Sequence, residues 1–224
     1  MAEPDLPSLK RAAALRALEL VESGMLLGIG TGSTARFFIE GLRGMRVTAV
    51  ATSRESAGLA REAGVDVIDD VRTQLDLAVD GADEIDPELR LIKGHGGALF
   101  REKLVAMAAR RFVVIADSSK LVPRLGRTYL PVEVTPFLWR LTAERLAPLA
   151  TAWKVRGGEG TPYRTDSGNV IVDLTFAAGI ERPEALAAEL KGLTGVIEHG
   201  LFLGLADRAL VATPDGVREL TAGG

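Results

Sequence analysis

The chain has 224 residues, 47% of them hydrophobic and 25% charged, with a formal net charge of −3. That length holds one large domain or a domain with a smaller companion, and the balance excludes a mostly disordered chain. The charge excludes a global positive field for nucleic acid or an anionic membrane surface, the absence of cysteine excludes disulfides and thiolate chemistry, and two histidines, His95 and His199, are too few for a histidine-built metal cage.

The first residues carry charges throughout and lack the uncharged apolar core of a signal peptide. No apolar run reaches the ~20 residues that span a bilayer. A cytoplasmic protein with no membrane partner is expected. Ser8 is placed to cap a helix running to about Gly24. MLLGIG then reads as a buried strand entering the glycine-rich turn TGST, followed by a helix from about Thr34 to Leu42. VTAVAT is a second strand, and SRESAGLAREAG a helix stopped at Gly64. VDVID, LDLAVD and RFVVIAD are further short apolar runs, the last two separated by a helix from about Gly97 to Arg110. Short continuous apolar strands alternating with helices predict an α/β fold, a doubly wound, mostly parallel, Rossmann-like sheet covered on both faces.

After about Arg127 the texture changes. Thr135-Pro136 predicts a helix start, with Phe137, Leu138, Leu141, Leu146 and Leu149 as its apolar residues. WKVRG, TPYRT and NVIVDLTF read as strands, the last two joined through Asp166-Ser167-Gly168 as a hairpin, and Pro183 opens another helix. A second, smaller α+β domain follows from this order. The final ALVATPDGVREL is strand, turn and strand, able to close either domain.

Four segments carry candidate chemistry, each where a strand ends, the usual ligand position in parallel sheets. In Gly28-Ile29-Gly30-Thr31-Gly32-Ser33-Thr34 the glycines admit a ligand to the backbone, and the next helix offers N–H groups suited to phosphate. Ser33 stands where a dinucleotide fingerprint needs its third glycine, and no lysine makes it a P-loop. A tight turn with a serine cap would read the same. In Asp80-Gly81-Ala82-Asp83-Glu84-Ile85-Asp86, four acids admit magnesium, a solvated loop with Asp83 as a cap, or a strand-tip Asp80 that handles protons or sugar hydroxyls. The spacing does not match a calcium loop, and no metal is assigned.

Lys93-Gly94-His95-Gly96-Gly97 places a lysine before a glycine-rich helix start, a second anion cradle. Glu102 in the following helix shares a face with Ala98, Val105, Ala106 and Ala109, which predicts a carboxylate that is half-buried or at a cleft rim. Burial would favour a general base, and an acid offsetting the helix dipole is the plainer reading. Lys120, in ADSSK, is a phosphate ligand or a surface charge. Three of the six lysines, Lys10, Lys93 and Lys120, lie in or beside these segments. Two anion cradles, lysines, a half-buried glutamate and a strand-end aspartate suit a small phosphorylated polyol. A carboxylate removes a proton beside a carbonyl, and a cation holds the enediolate oxygen, which is aldose–ketose isomerisation without a cofactor. A non-catalytic sugar-phosphate sensor would keep TGST and the lysines but need no Glu102.

TGST, VDGADEID, IKGHGGALFREK and IADSSKLV, in this order, closely resemble ribose-5-phosphate isomerase of the A type, over nearly the whole chain. The resemblance implies Glu102 as the base, with Asp80, Asp83 and Lys93 opening the furanose ring and managing charge and protons at O1 and O2. It implies Lys10, Thr31, Gly32, Ser33, Thr34, Gly81, Ala82, Gly94, His95, Gly96 and Lys120 as substrate- or phosphate-binding positions. The segment from Lys93 to Gly96 resembles the family's substrate-binding loop, often read as KGGG; here His95 stands in place of the middle glycine, and a solvent-pointing ring is expected. The resemblance further implies a Rossmann-like domain of residues 1–127 and 204–224 and a smaller one of 128–203. It also implies no cofactor, a homodimer or larger homo-oligomer, and interconversion of D-ribose 5-phosphate and D-ribulose 5-phosphate in the non-oxidative pentose phosphate pathway.

Overall fold

An aspartate and a proline start the first helix. α1 (Leu6–Leu18) has Pro7 in its first turn, and the Asp5 carboxylate accepts the Ser8 N–H at 3.0 Å. Hydrogen bonds from Ser8, side chain and then backbone, hold the Asp5 carboxyl below the usual carboxylate range. The cap therefore lies at Asp5, not at the expected Ser8. The helix also ends earlier than Gly24, because Leu20 and Val21 donate to carbonyls three residues back, Ala17 and Leu18, each at 3.1 Å. The computed structural model describes residues 5–222.

The expected alternation follows. β1 (Leu26–Ile29), α2 (Ser33–Gly41), β2 (Thr48–Ala51), α3 (Arg54–Glu62), β3 (Asp66–Val67) and β4 (Leu77–Asp80) come in turn. Next are two short strands that the sequence reads only as loop, β5 (Glu84–Ile85) and β6 (Leu91–Ile92). They precede α4 (Leu99–Ala108) and β7 (Phe112–Asp117). The remainder is β8 (Leu130–Val134), α5 (Trp139–Leu146), β9 (Ala152–Val155), β10 (Val170–Thr175), α6 (Pro183–Gly192), β11 (Val196–His199), β12 (Leu201–Phe202), β13 (Arg208–Thr213) and β14 (Gly216–Leu220).

The chain forms two units. The first takes residues up to Ala82, Arg101–Lys120 and those from Gly204. Its sheet has the order β14-β13-β7-β4-β1-β2-β3, parallel throughout except for the edge hairpin β13–β14. The terminal strand–turn–strand thus closes this sheet. Leu27, Ile29, Leu77, Val79, Val113 and Ile115 are buried with Leu9, Ala13 and Ala17 of α1 and Phe38 and Ile39 of α2. Alternation along β1 turns Gly28 to the other face, where an ideal Cβ would stand 2.4 Å from Val105 of α4.

The second unit takes Asp83–Phe100 and Leu121–Leu203. It therefore includes residues 83–100 and 121–127, which the sequence-based division leaves with the first. The cause is local: Val122 N–H donates to the Ile85 carbonyl at 2.9 Å, and the Gly126 N–H donates to Glu84 at 2.7 Å. A four-stranded antiparallel sheet, β11-β8-β10-β9, and a three-stranded one, β12-β6-β5, build the unit. Its core joins Val132, Val134, Val170 and Val172 to Trp139, Ala143, Leu146 and Leu190.

Two expectations fail here. The helix predicted from Thr135-Pro136 begins at Trp139, since Leu138 adopts φ 55° at its N-cap. Its buried stripe is Trp139, Ala143 and Leu146, while Phe137, Leu138 and Leu141 are exposed. TPYRT is not a full strand. The turn closes as expected, with Gly168 N–H on the Thr165 carbonyl at 2.9 Å, but only Arg164 bridges Val170, and β9 pairs with β10 instead.

Candidate active site

In the first unit, the end of β1 is built around Asp80. Gly30 N–H donates to the Val79 carbonyl at 2.9 Å, which draws the turn against the tip of β4. The Asp80 carboxylate, 4% exposed, accepts from Thr31 N–H at 3.1 Å and Gly81 N–H at 2.7 Å through Oδ1. Thr31 Oγ1 donates to Ser53 Oγ at 2.8 Å and shares a 2.8 Å hydrogen bond with Thr52 Oγ1. Ser53 in turn forms the capping box of α3 with Ser56. Gly32 takes φ 107° as the N-cap of α2, with no side-chain cap. The N–H groups of Ser33, Thr34 and Ala35 therefore start a helix with no carbonyl four residues back inside it, the arrangement that receives an anion. Lys10 of α1 donates to Ser33 Oγ at 3.0 Å, adding a positive charge beside that turn.

Glu102 lies in the first turn of α4, 5% exposed. The C-terminal end of α4 is tied to the start of β4: Leu75 N–H donates to Ala108 O at 2.9 Å, and Arg110 N–H to Leu75 O at 2.8 Å. From Ala109 back to Glu102 is about 10 Å of helix. From Leu75 to Asp80 is about 17 Å of strand. Helix and strand start from one anchored end, so Glu102 and Asp80 both come to the carboxyl end of the sheet. Gly28 lets α4 lie close enough for this.

Lys120 ends a 3-10 turn, Ser118–Lys120, that follows β7. The Ser119 N–H donates to Asp117 Oδ1 at 3.1 Å, which shapes that turn. The structure brings Thr31, Asp80 and Gly81 together, and Lys10 to Ser33.

In the second unit, Asp83 Oδ2 accepts the His95 N–H at 2.9 Å. The sequence also allowed Asp83 to cap the turn after it; the hydrogen bond found reaches the glycine loop instead. Lys93 is 2% exposed, its N–H on Gly200 O at 2.9 Å and its Nζ 5.5 Å from the centroid of the Phe202 ring. Gly94 (φ 105°) and Gly97 (φ 84°) turn the chain through the loop. His95 is not solvent-pointing. Its ring stacks on Tyr129 at 3.9 Å between centroids, Nε2 lies 3.0 Å from the Tyr129 carbonyl oxygen, and Nδ1 lies 3.5 Å from Asp83 Oδ1. Burial pushes the Tyr129 phenol up from its ordinary value, against the lowering charge of Arg156.

The acidic run divides its partners. Glu84 accepts from Gly126, Arg127 and Thr128, and Asp86 from Glu88 and Arg90. Among the described residues, no three His, Cys, Asp or Glu side chains group so as to hold a metal ion. Likewise, no helix among them is long and apolar enough to cross a membrane. Thr52, Ser53, Tyr129 and Arg156 also belong to these neighbourhoods and were not expected from the sequence. One signal was there to read: Asp173 interrupts the apolar run NVIVDLTF, and a buried carboxylate demands a partner.

Fold and turns together define a doubly wound α/β protein of the class that takes small ligands at the carboxyl ends of its strands. Residues 48–216 match the family described as ribose 5-phosphate isomerase A (phosphoriboisomerase A). Ribose-5-phosphate isomerase A of Roseiflexus sp. (strain RS-1) is 53% identical, over 95% of this chain and 95% of its own. The one from Deinococcus radiodurans is 47% identical, over 97% and 99%. Among solved structures, ribose 5 phosphate isomerase A from Neisseria gonorrhoeae is 38% identical with a TM-score of 0.93, covering 100% of both chains. A D-ribose-5-phosphate isomerase in complex with phospho-erythronic acid is 37% identical with a TM-score of 0.91, covering 97% of this chain and 100% of its own. The chain belongs to the ribose-5-phosphate isomerase A family and is an aldose–ketose isomerase.

Proposed function

We propose that the chain interconverts D-ribose 5-phosphate and D-ribulose 5-phosphate, without a cofactor, through an enediolate, as a step of the non-oxidative pentose phosphate pathway. The α2 N-terminus with Thr31, Gly32, Ser33, Thr34 and Lys10 takes the phosphate, and Lys120 adds charge to it. Gly81, Ala82, Gly94, His95 and Gly96 line the sugar. After ring opening, Glu102 removes the C2 proton and returns it to C1. Lys93 and loop N–H groups hold the developing oxyanion. Asp80, fixed at its strand tip, moves the proton between O1 and O2, and Asp83 assists in ring opening. Clamping the phosphate spends binding energy on aligning the reacting carbons. A sugar-phosphate ligand is supported by the phospho-erythronic acid complex of a relative. We read the working form as a cytoplasmic homodimer or larger homo-oligomer.

The observation that carries this reading is the common anchoring of α4 and β4 at Leu75, which sends Glu102 and Asp80 to one end of the sheet. The test is a coupled assay of ribulose 5-phosphate formation with added chelator, on the natural chain and on Glu102→Gln. Turnover should survive the chelator. In the variant it should fall by ~10²–10⁴, the usual share of a general base, while ribose 5-phosphate still raises the melting temperature. A Glu102→Gln protein with undiminished turnover would overturn the assignment.

A further inference from the structure

Arg156 follows β9, and its side chain is 16% exposed. Its Nε and Nη2 donate to Oδ2 and Oδ1 of Asp173, at 3.1 and 2.5 Å, and that side chain is 3% exposed. The fork already satisfies the buried carboxylate. Yet Nη1 donates further, to the carbonyl oxygens of Gly94 and His95, each at 3.0 Å. The guanidinium carbon also lies 5.6 Å from the centroid of the Tyr129 ring, on which His95 stacks. One side chain thus holds two successive peptides of the glycine loop.

Those two bonds have a consequence for the opposite edge of each peptide. In a trans peptide the carbonyl and the N–H point in opposite directions. At the first peptide, the Gly94 carbonyl faces Arg156 and the His95 N–H reaches Asp83 at 2.9 Å. At the second, the His95 carbonyl faces Arg156, which turns the Gly96 N–H away from it; Gly96 is exposed. We infer that Arg156, oriented by Asp173, is a positioning residue for isomerisation: it fixes the loop so that the Gly96 N–H is aimed at the enediolate oxygen. Arg156 itself touches no substrate. This rests on the reading that the Lys93–Gly96 loop holds that oxygen. Lysine cannot replace it, since a single ammonium cannot fork a carboxylate and span two carbonyls.

The test compares Arg156→Ala, Arg156→Lys and Asp173→Asn with the natural chain. For Arg156→Ala, kcat should fall ~100-fold, the order that a 1 Å misplacement costs. KM should stay near its natural value, because the phosphate is gripped elsewhere. Arg156→Lys should recover little, and low-millimolar guanidinium should restore part of the Arg156→Ala turnover while ammonium does not. Asp173→Asn should show the same kcat-only loss in weaker form. Unchanged kcat in all three variants overturns the inference. So does a loss explained by a lowered folded fraction, without guanidinium rescue. Lys93→Ala serves as control: if it keeps full turnover, the underlying reading of the loop fails, whereas its inactivity beside a fully active Arg156→Ala refutes the positioning role alone.

Discussion

Thr31 and Asp80 are joined by the hydrogen bond from the Thr31 amide to Oδ1 at 3.1 Å, and the close approach behind that bond is open only to glycine at position 30. An ideal Cβ on Gly30 would stand 1.9 Å from Asp80 Oδ1 and 2.0 Å from Cγ. Gly30→Ala must therefore displace either the turn or the carboxylate. Overpacking of this kind costs about 1–3 kcal/mol. If Asp80 shuttles the proton, turnover should fall ~100-fold as well. Thermal melting and the coupled assay read the two effects separately. A melted-down but fully active Gly30→Ala enzyme would mean that the turn yields and the Asp80 carboxylate keeps its place.

Glu84 is a different kind of acid. It is fully buried and accepts Gly126 N–H at 2.7 Å, Thr128 N–H at 2.5 Å and Thr128 Oγ1 at 2.6 Å. Its carboxylate organises residues 126–128 from 42 positions away in sequence. Glu84→Gln turns an amide NH₂ toward N–H donors and loses at least one charge-assisted bond, worth ~1.5–3 kcal/mol. The melting temperature should drop by about 3–12 °C, at 2–4 °C per kcal/mol for a chain of this size. Turnover per folded molecule should hold. An unshifted melt would mean that the three bonds contribute nothing net.

What the sequence made legible was local. The apolar runs LLGI, LAVD and FVVIAD are the central strands β1, β4 and β7, and Ser53 caps α3 as serine does before a helical pattern. The acidic run was visible as a cluster, but not its division of labour, because each acid answers to a partner elsewhere: Asp80 to Thr31, Asp83 to His95, Glu84 to residues 126–128. Arg156 was missed for the same reason, its carbonyl partners lying 61 and 62 residues upstream. The α5 stripe was misplaced because one left-handed residue, Leu138, restarts the helical phase. Two-residue strands such as β5 and β6 leave no periodicity to read.

Tyr129 gives a dependence on alkaline pH. Burial raises its phenol pKa above the ordinary value, so the folded state favours the neutral phenol. The sign follows from linkage: the folded chain holds this proton where the unfolded chain has released it. The stabilisation is complete below the unfolded value and is lost as pH rises through the folded one. Melting temperatures followed upward from pH 9 should fall more steeply for the natural chain than for Tyr129→Phe. Parallel curves would show that the phenol carries no linked stability.

The His95 ring makes contacts that a glycine at its position could not. The stack on Tyr129 is worth about 0.5–1.5 kcal/mol, and the bond from Nε2–H to the Tyr129 carbonyl about 0.5–1.5 kcal/mol more. The contacts that shape the loop backbone are others: His95 N–H on Asp83, and the Gly94 and His95 carbonyls on Arg156. None of these needs a side chain at position 95. His95→Gly should therefore destabilise the protein by about 1–3 kcal/mol. Its kcat should stay within about threefold of the natural value, since the reacting groups keep their places. His95→Phe, which keeps the stack and loses the Nε2 bond, should melt between the two. A kcat loss beyond tenfold in His95→Gly, with an unchanged melt, would instead make the imidazole part of the reaction.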